Sequence, residues 1–132
     1  MKFSHSILRT DPFYGTLATL RNLNATLTAV VNKLGKDIMV AETNWPAVSC
    51  DTALSASYPQ TPYGQLAWQI AITDVLAALP GGHGVGVLYW EPGWVGNAGL
   101  GSSCSDNLLV DSTGKARSGI KYVVFTFLVV WI

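Results

Sequence analysis

The segment DIMVAETNWP, residues 37–46, sets the frame for the rest of the chain. Ile38, Met39, Val40 and Ala41 form a short, nearly continuous apolar run bounded by turn signals, the pattern of a buried parallel strand. The run ends on Glu42 and passes at once into Asn44, Trp45 and Pro46. Only two glutamates occur in the chain, and the second repeats the arrangement: Glu91 follows the apolar run from Gly84 to Trp90, in VLYWEPGW at 87–94.

Working outward, Leu17, Leu20, Leu23, Leu27, Val30, Val31 and Leu34 recur in steps of three and four and predict a helix from Thr16 to Leu34, stopped by Gly35 as a left-handed cap. The polar, proline-bearing stretch from Thr43 to Gln60 reads as a long loop. Thr61 as N-cap and Pro62 at the first helical position open a second helix. Its expected buried face is Leu66, Ile70, Ala71, Val75, Leu76 and Leu79, and Pro80-Gly81-Gly82 ends it. After the strand from Gly84 to Trp90 comes a second long loop, from Pro92 to Asp111, rich in glycine and serine. Helix, strand and long loop, twice over, indicate repeated βα units on a parallel sheet. In such folds the loops after the C-terminal strand ends carry the active site.

The chain has 132 residues, fewer than the ~200 to 250 of a closed α/β barrel. A barrel-like pattern therefore implies part of a barrel. Charged residues make up 12%, against roughly 25% in ordinary globular domains. Eight basic residues balance eight acidic ones, so electrostatics gives no ground for nucleic acid or an anionic membrane as partner. Cys50 and Cys104 permit one disulfide in an oxidising compartment and lack the paired spacing of a zinc site. Asn24-Ala25-Thr26 is an acceptor sequon, usable in a secreted chain. MKFSHSILRT, at 1–10, lacks the roughly 7 to 15 apolar residues of a signal-peptide core. YVVFTFLVVWI, at 122–132, is short of the ~20 residues that span a bilayer.

A carboxylate at the C-terminal end of a buried strand is held, partly desolvated, at the mouth of a βα fold. Retaining glycoside hydrolysis needs two carboxyl groups about 5 to 5.5 Å apart, and aromatic rings to receive the apolar faces of sugars. Trp45, Tyr89, Trp90 and Trp94 all lie within four residues of Glu42 or Glu91. Each residue also has a plainer reading: Glu42 as a strand-end cap, Trp90 as core, Asn44 as a turn former before Pro46. Asp106 and Asp111 lack ordered ligand spacing and read as loop residues, so no metal site is expected. His83 falls at the opposite end of the sheet and His5 in an unpatterned terminus; neither receives a role.

PFYGTLATL (12–20), GKDIMVAETNWP (35–46) and GVGVLYWEPGWVGNAGLGSSCSDNLLVD (84–111) closely resemble the C-terminal part of glycoside hydrolase family 53, the arabinogalactan endo-β-1,4-galactanases. The resemblance implies an α/β chain comprising about three βα units, strands six to eight, of an incomplete (β/α)8 TIM barrel spanning 11–120. Segments 1–10 and 121–132 do not match. It implies Glu42 as nucleophile at the end of strand seven and Tyr14 of PFYG at the end of strand six. Trp90 matches the tryptophan lining the cleaved-bond subsite, with Glu91 as a supporting carboxylate, and Asn44, Trp45 and Trp94 as further substrate-binding residues. The strand-four Asn-Glu pair that carries the family's acid/base has no counterpart in this sequence. Family members join the loops after strands seven and eight by a disulfide in some and by bound calcium in others; here the expectation is a Cys50–Cys104 bridge, without a cofactor. The implied substrate is β-1,4-galactan or arabinogalactan, and the parent is expected to be an extracellular monomer. The alternatives are a galactan-binding remnant that stacks sugars on Trp45, Trp90 and Trp94 without turnover, and an unstable truncated product.

Overall fold

The computed structural model describes residues 6–9, 19–90, 92–93 and 104–122. In chain order these form β1 (Ser6–Arg9), α1 (Leu20–Leu34), β2 (Ile38–Thr43), α2 (Pro62–Ala77), a 3-10 turn at Pro80–Gly82, and β3 (Gly84–Tyr89). The three strands make one parallel sheet in sequence order, with β2 in the centre. From α1 onward this is the alternation of helix and parallel strand that the sequence pattern predicts. β1 is a departure, since the first ten residues carry no strand pattern; its backbone nevertheless pairs with β2 from Ser6↔Ile38 onward. Sheet hydrogen bonds, which any non-proline backbone can make, supply the order that side-chain periodicity did not announce.

α2 begins where its sequence predicts, whereas α1 begins at Leu20 and not at Thr16, because Thr19 is extended and acts as its N-cap. The Thr19 hydroxyl accepts from the Asn22 N–H, and Gly35 closes α1 in the left-handed conformation at φ 57°, its N–H donating to the Val31 carbonyl at 2.7 Å. Thr61 caps α2 through the Gly64 N–H, with Pro62 in the first turn. α1 buries Leu23, Leu27 and Val31, as its stripe predicts, although Leu34 is exposed.

α2 turns inward only the C-terminal part of the face expected, with Leu76 and Leu79 buried and Val75 packed against the core. Gln65, Trp68, Gln69, Ile72 and Leu76 are buried, whereas Ile70 is exposed and Leu66 only half-buried. The helix is apolar almost all round, so periodicity alone gives no direction. The face is decided by Trp68, whose indole fills the layer between helix and sheet, and by two glutamines whose amides find partners there. The core joins this face to Leu23, Leu27, Val31, Ile38, Val40, Trp45 and Leu79. At the far end of the sheet, Gly84 lies so close to the Leu76 carbonyl that a Cβ would collide with it. There His83 Nδ1 also meets Asp37 Oδ1 at 2.9 Å, joining the starts of β2 and β3.

Ile72→Ala should cost about 2 to 5 kcal/mol in urea unfolding, as expected for a fully buried aliphatic side chain. Ile70→Ala, on the exposed side of the same helix, should stay within about 0.5 kcal/mol of the parent. Equal losses at the two positions would contradict the observed face of α2.

Candidate active site

β2 does not alternate regularly. Along Ile38–Thr43, Ile38, Val40 and Thr43 are buried while Met39, Ala41 and Glu42 are half-buried. Ile38 and Val40 pack into the core beneath the helices, and the Thr43 hydroxyl accepts from Trp68 Nε1 of α2 at 2.9 Å. Strict alternation would put Thr43 on the opposite face from Val40 and would turn Glu42 into the helix layer. A one-residue bulge prevents this. Val40 pairs with Val87 and Thr43 with Tyr89, so two residues of β2, Ala41 and Glu42, oppose Leu88 alone. The β1 side shows the same irregularity, with Leu8↔Val40 followed by Arg9↔Glu42. The bulge returns Thr43 to the helix side and leaves Glu42 on the face turned away from the helices.

β3 brings the second set of residues beside it. Val87 packs against the core and the Tyr89 hydroxyl bonds to α2, so Leu88 and Trp90 fall on the face that Glu42 shares. Both are exposed, and the Trp90 N–H donates to the Thr43 carbonyl at 2.9 Å. Glu42 and Trp90 therefore stand at the C-terminal ends of adjacent parallel strands, on one face. Glu91, Trp94 and Tyr14 lie outside the described residues.

Trp45 requires correction as a sugar platform. It is fully buried, tilted against Trp68 at 5.0 Å between ring centroids and edge-on to Tyr58 at 5.8 Å. Its indole N–H donates to the Pro59 carbonyl at 2.9 Å. Only two residues separate it from Glu42, but the bulge has reversed the facing by then, and the apolar ring follows Thr43 into the helix layer. Asn44 is also buried, 7% exposed.

Under these strand ends lies a polar knot that sequence reading missed. Gln65 Nε2 sits within hydrogen-bond reach of the carbonyls of Trp45 (2.9 Å), Asn107 (3.0 Å) and Leu108 (3.1 Å), and of the Tyr89 hydroxyl (3.2 Å). Tyr89 donates to the Asn107 carbonyl at 2.6 Å and accepts from the Trp45 N–H at 3.2 Å. Burial pushes the Tyr89 hydroxyl well above the usual phenol range, so it remains a neutral donor. The legible signal was a glutamine pair, Gln65 and Gln69, spaced by four in an otherwise apolar helix.

The two loops meet again further out. Arg117 grips Asp106 with two bonds, Nη1 to Oδ1 at 2.7 Å and Nη2 to Oδ2 at 2.6 Å, and also donates to the Leu108 carbonyl. The Asp106 carbonyl accepts from the Ala47 N–H. Arg117 beside it holds the Asp106 carboxyl below the usual carboxylate range. Asp111 accepts from Thr113 and Lys115 in its own turn, the loop role expected of it. Cys50 and Cys104 are disulfide-bonded, with Cα atoms 5.0 Å apart, which links the loop after β2 to the one after β3. Among the described residues no cluster of three histidine, cysteine or carboxylate side chains could hold a metal ion.

A parallel βαβαβ sheet thus presents a carboxylate and an exposed tryptophan at its C-terminal strand ends, on one face, and the loops that follow β2 and β3 are joined by a disulfide. The family model for glycosyl hydrolase family 53 matches residues 11–123, and the chain belongs to that family. It is 43% identical over 116 residues to a probable arabinogalactan endo-β-1,4-galactanase A of Aspergillus fumigatus, covering 83% of this chain and 32% of the relative. It is 45% identical over 106 residues to the arabinogalactan endo-β-1,4-galactanase A of Emericella nidulans, covering 76% and 29%. The chain thus spans about a third of the length of the curated relatives it matches. Among solved structures, one of a pair of fungal β-1,4-galactanases superposes with a TM-score of 0.79 at 34% identity, covering 89% of this chain and 37% of the other. A Faecalibacterium prausnitzii β-glucuronidase superposes at 0.60 with 10% identity, a likeness of fold alone.

Two outcomes test the loop architecture. The Asp106 carboxyl is lowered on folding, so its contribution is complete above the unfolded value near pH ~4 and is lost as pH falls through the folded value. Urea midpoints should therefore drop more steeply in acid for the parent than for Asp106→Asn. Reduction of Cys50–Cys104, which closes a separation of 54 residues, should lower stability by about 4 kcal/mol in the chain-entropy description.

Proposed function

We propose that this chain carries the nucleophile side of a retaining endo-β-1,4-galactanase site, within a (β/α)8 barrel whose other strands belong to a longer, extracellular, monomeric parent. Glu42 attacks the anomeric carbon of a galactosyl unit held against Trp90, and the departing sugar leaves a glycosyl ester on the Glu42 carboxylate. The observation that carries this reading is the β2 bulge, which turns Glu42 off the helix layer and onto the face of Trp90. Family membership and the galactanase names of the relatives supply the substrate, a β-1,4-galactan chain. The disulfide supports an oxidising compartment. The binding-only alternative loses one of its three platforms, because Trp45 belongs to the core.

Retention also needs a second carboxyl group, to protonate the leaving oxygen and then activate water. Of the other described carboxylates, Asp37 meets His83, Asp106 meets Arg117, Asp111 serves its own turn, and Asp51 and Asp74 are exposed on the loop and on α2. Glu91 lies outside the described residues, and the family resemblance assigns the acid/base to a strand-four Asn-Glu pair without a counterpart in this sequence. General acid–base help is worth ~10² to 10⁴ in rate, and lost positioning adds to that deficit.

The two steps can be separated. A 2-deoxy-2-fluoro-β-galactobiosyl fluoride has a leaving group that departs without protonation, so the chain should accumulate one covalent label, located by peptide mass spectrometry on Glu42 and absent from Glu42→Gln. Unactivated galactan should yield reducing ends no faster with the chain than with Glu42→Gln. A label on any other residue sinks the nucleophile assignment, and Glu42-dependent galactan cleavage would transfer the acid/base role to Glu91.

A further inference from the structure

We propose that Asn24 is an N-glycosylation site. Asn24-Ala25-Thr26 is an acceptor sequon, and the structure sets it in the second turn of α1 with all three residues exposed. The helix buries Leu23 and Leu27 on either side of the sequon while Asn24, Ala25 and Thr26 are exposed in this chain, as an acceptor for a bulky surface glycan needs. The Asn24 side chain accepts a long 3.4 Å bond from the Thr28 hydroxyl at Oδ1, and the sugar-accepting atom is the other one, Nδ2.

A second observation bears on the same compartment. Cys50 and Cys104 are joined, as in chains that fold in the oxidising secretory pathway where sequons are read. In the transfer, Nδ2 forms a bond to C1 of an oligosaccharide carried on a lipid diphosphate, the C1–O bond to the diphosphate breaks, the lipid diphosphate leaves, and Nδ2 gives up one proton. The sequon is read on the extended chain before α1 forms, so its later helical setting is no obstacle. α1 covers the opposite side of the sheet from the face that bears Glu42, and the glycan stands clear of the proposed substrate face.

The full chain is placed behind an export signal, expressed in yeast, recovered from medium or secretory lumen, and digested before and after treatment with peptide N-glycosidase. The expected result is a glycan on the Asn24 peptide, removed by the enzyme with conversion of Asn24 to aspartate. Asn24→Gln and Thr26→Ala should lose the modification and Thr26→Ser should keep it. Transfer precedes folding, so these readouts hold even for a variant that fails to fold. An exported, disulfide-bonded chain with an unmodified Asn24 peptide overturns the proposal, as does a glycan that survives Thr26→Ala.

Discussion

One extra residue in β2 governs the rest of the structure. A regular strand would commit Ile38, Val40 and Glu42 to one face, and that face is filled by α1 and α2. A carboxylate there would be stripped of water among leucines and tryptophans, at a cost of several kcal/mol. The bulge at Ala41–Glu42 lets the same strand bury Thr43 and keep Glu42 out of the core. Its neighbour compensates: Ile38 pairs with Gly84 and Met39 with Gly86, an extra residue in β3 before the extra residue in β2. The two offsets cancel, so Thr43 and Tyr89 end the strands side by side.

Those paired ends are then fixed from the helix side. Thr43 is tied to Trp68, Trp45 to Pro59 and through its carbonyl to Gln65, and Tyr89 to Asn107. Each bond joins segments at least 14 residues apart in sequence, and two of the four, from Trp68 and Gln65, come from α2. A neutral amide and a neutral phenol are well suited to this work. They satisfy several buried backbone groups without placing a charge in the core, whereas the charged pair, Asp106 with Arg117, is held further out where water still reaches it.

Much of the fold was legible because local signals agreed with it. Thr61-Pro62, Gly35 and the leucine stripe of α1 each mark a boundary or a face by chemistry that acts within a few residues. Glu42 was legible for another reason: a charged residue at the end of an apolar run is conspicuous. The inward face of α2 was not legible, since an all-apolar helix has no preferred side until Gln65 and Gln69 meet carbonyls supplied by other segments. Trp45 belongs to the core and not to a surface platform, because closeness to Glu42 in sequence does not bring the two side chains to one face. The bulge is invisible in residue types, being defined only by the register of neighbouring strands.

In the proposed reaction Glu42 has to be held to within about 0.5 Å of the position that meets the reacting carbon, and its own contacts cannot do all of that, because they must leave one side open to substrate. The solution here is to hold the backbone from the closed side. Thr43, Asn44 and Trp45 follow Glu42 without interruption, and all three are buried. Three consecutive buried residues allow the segment no independent motion without opening the core. The position of Glu42 thus depends on residues that face away from it, and the tryptophan beside it in sequence contributes by filling the helix layer.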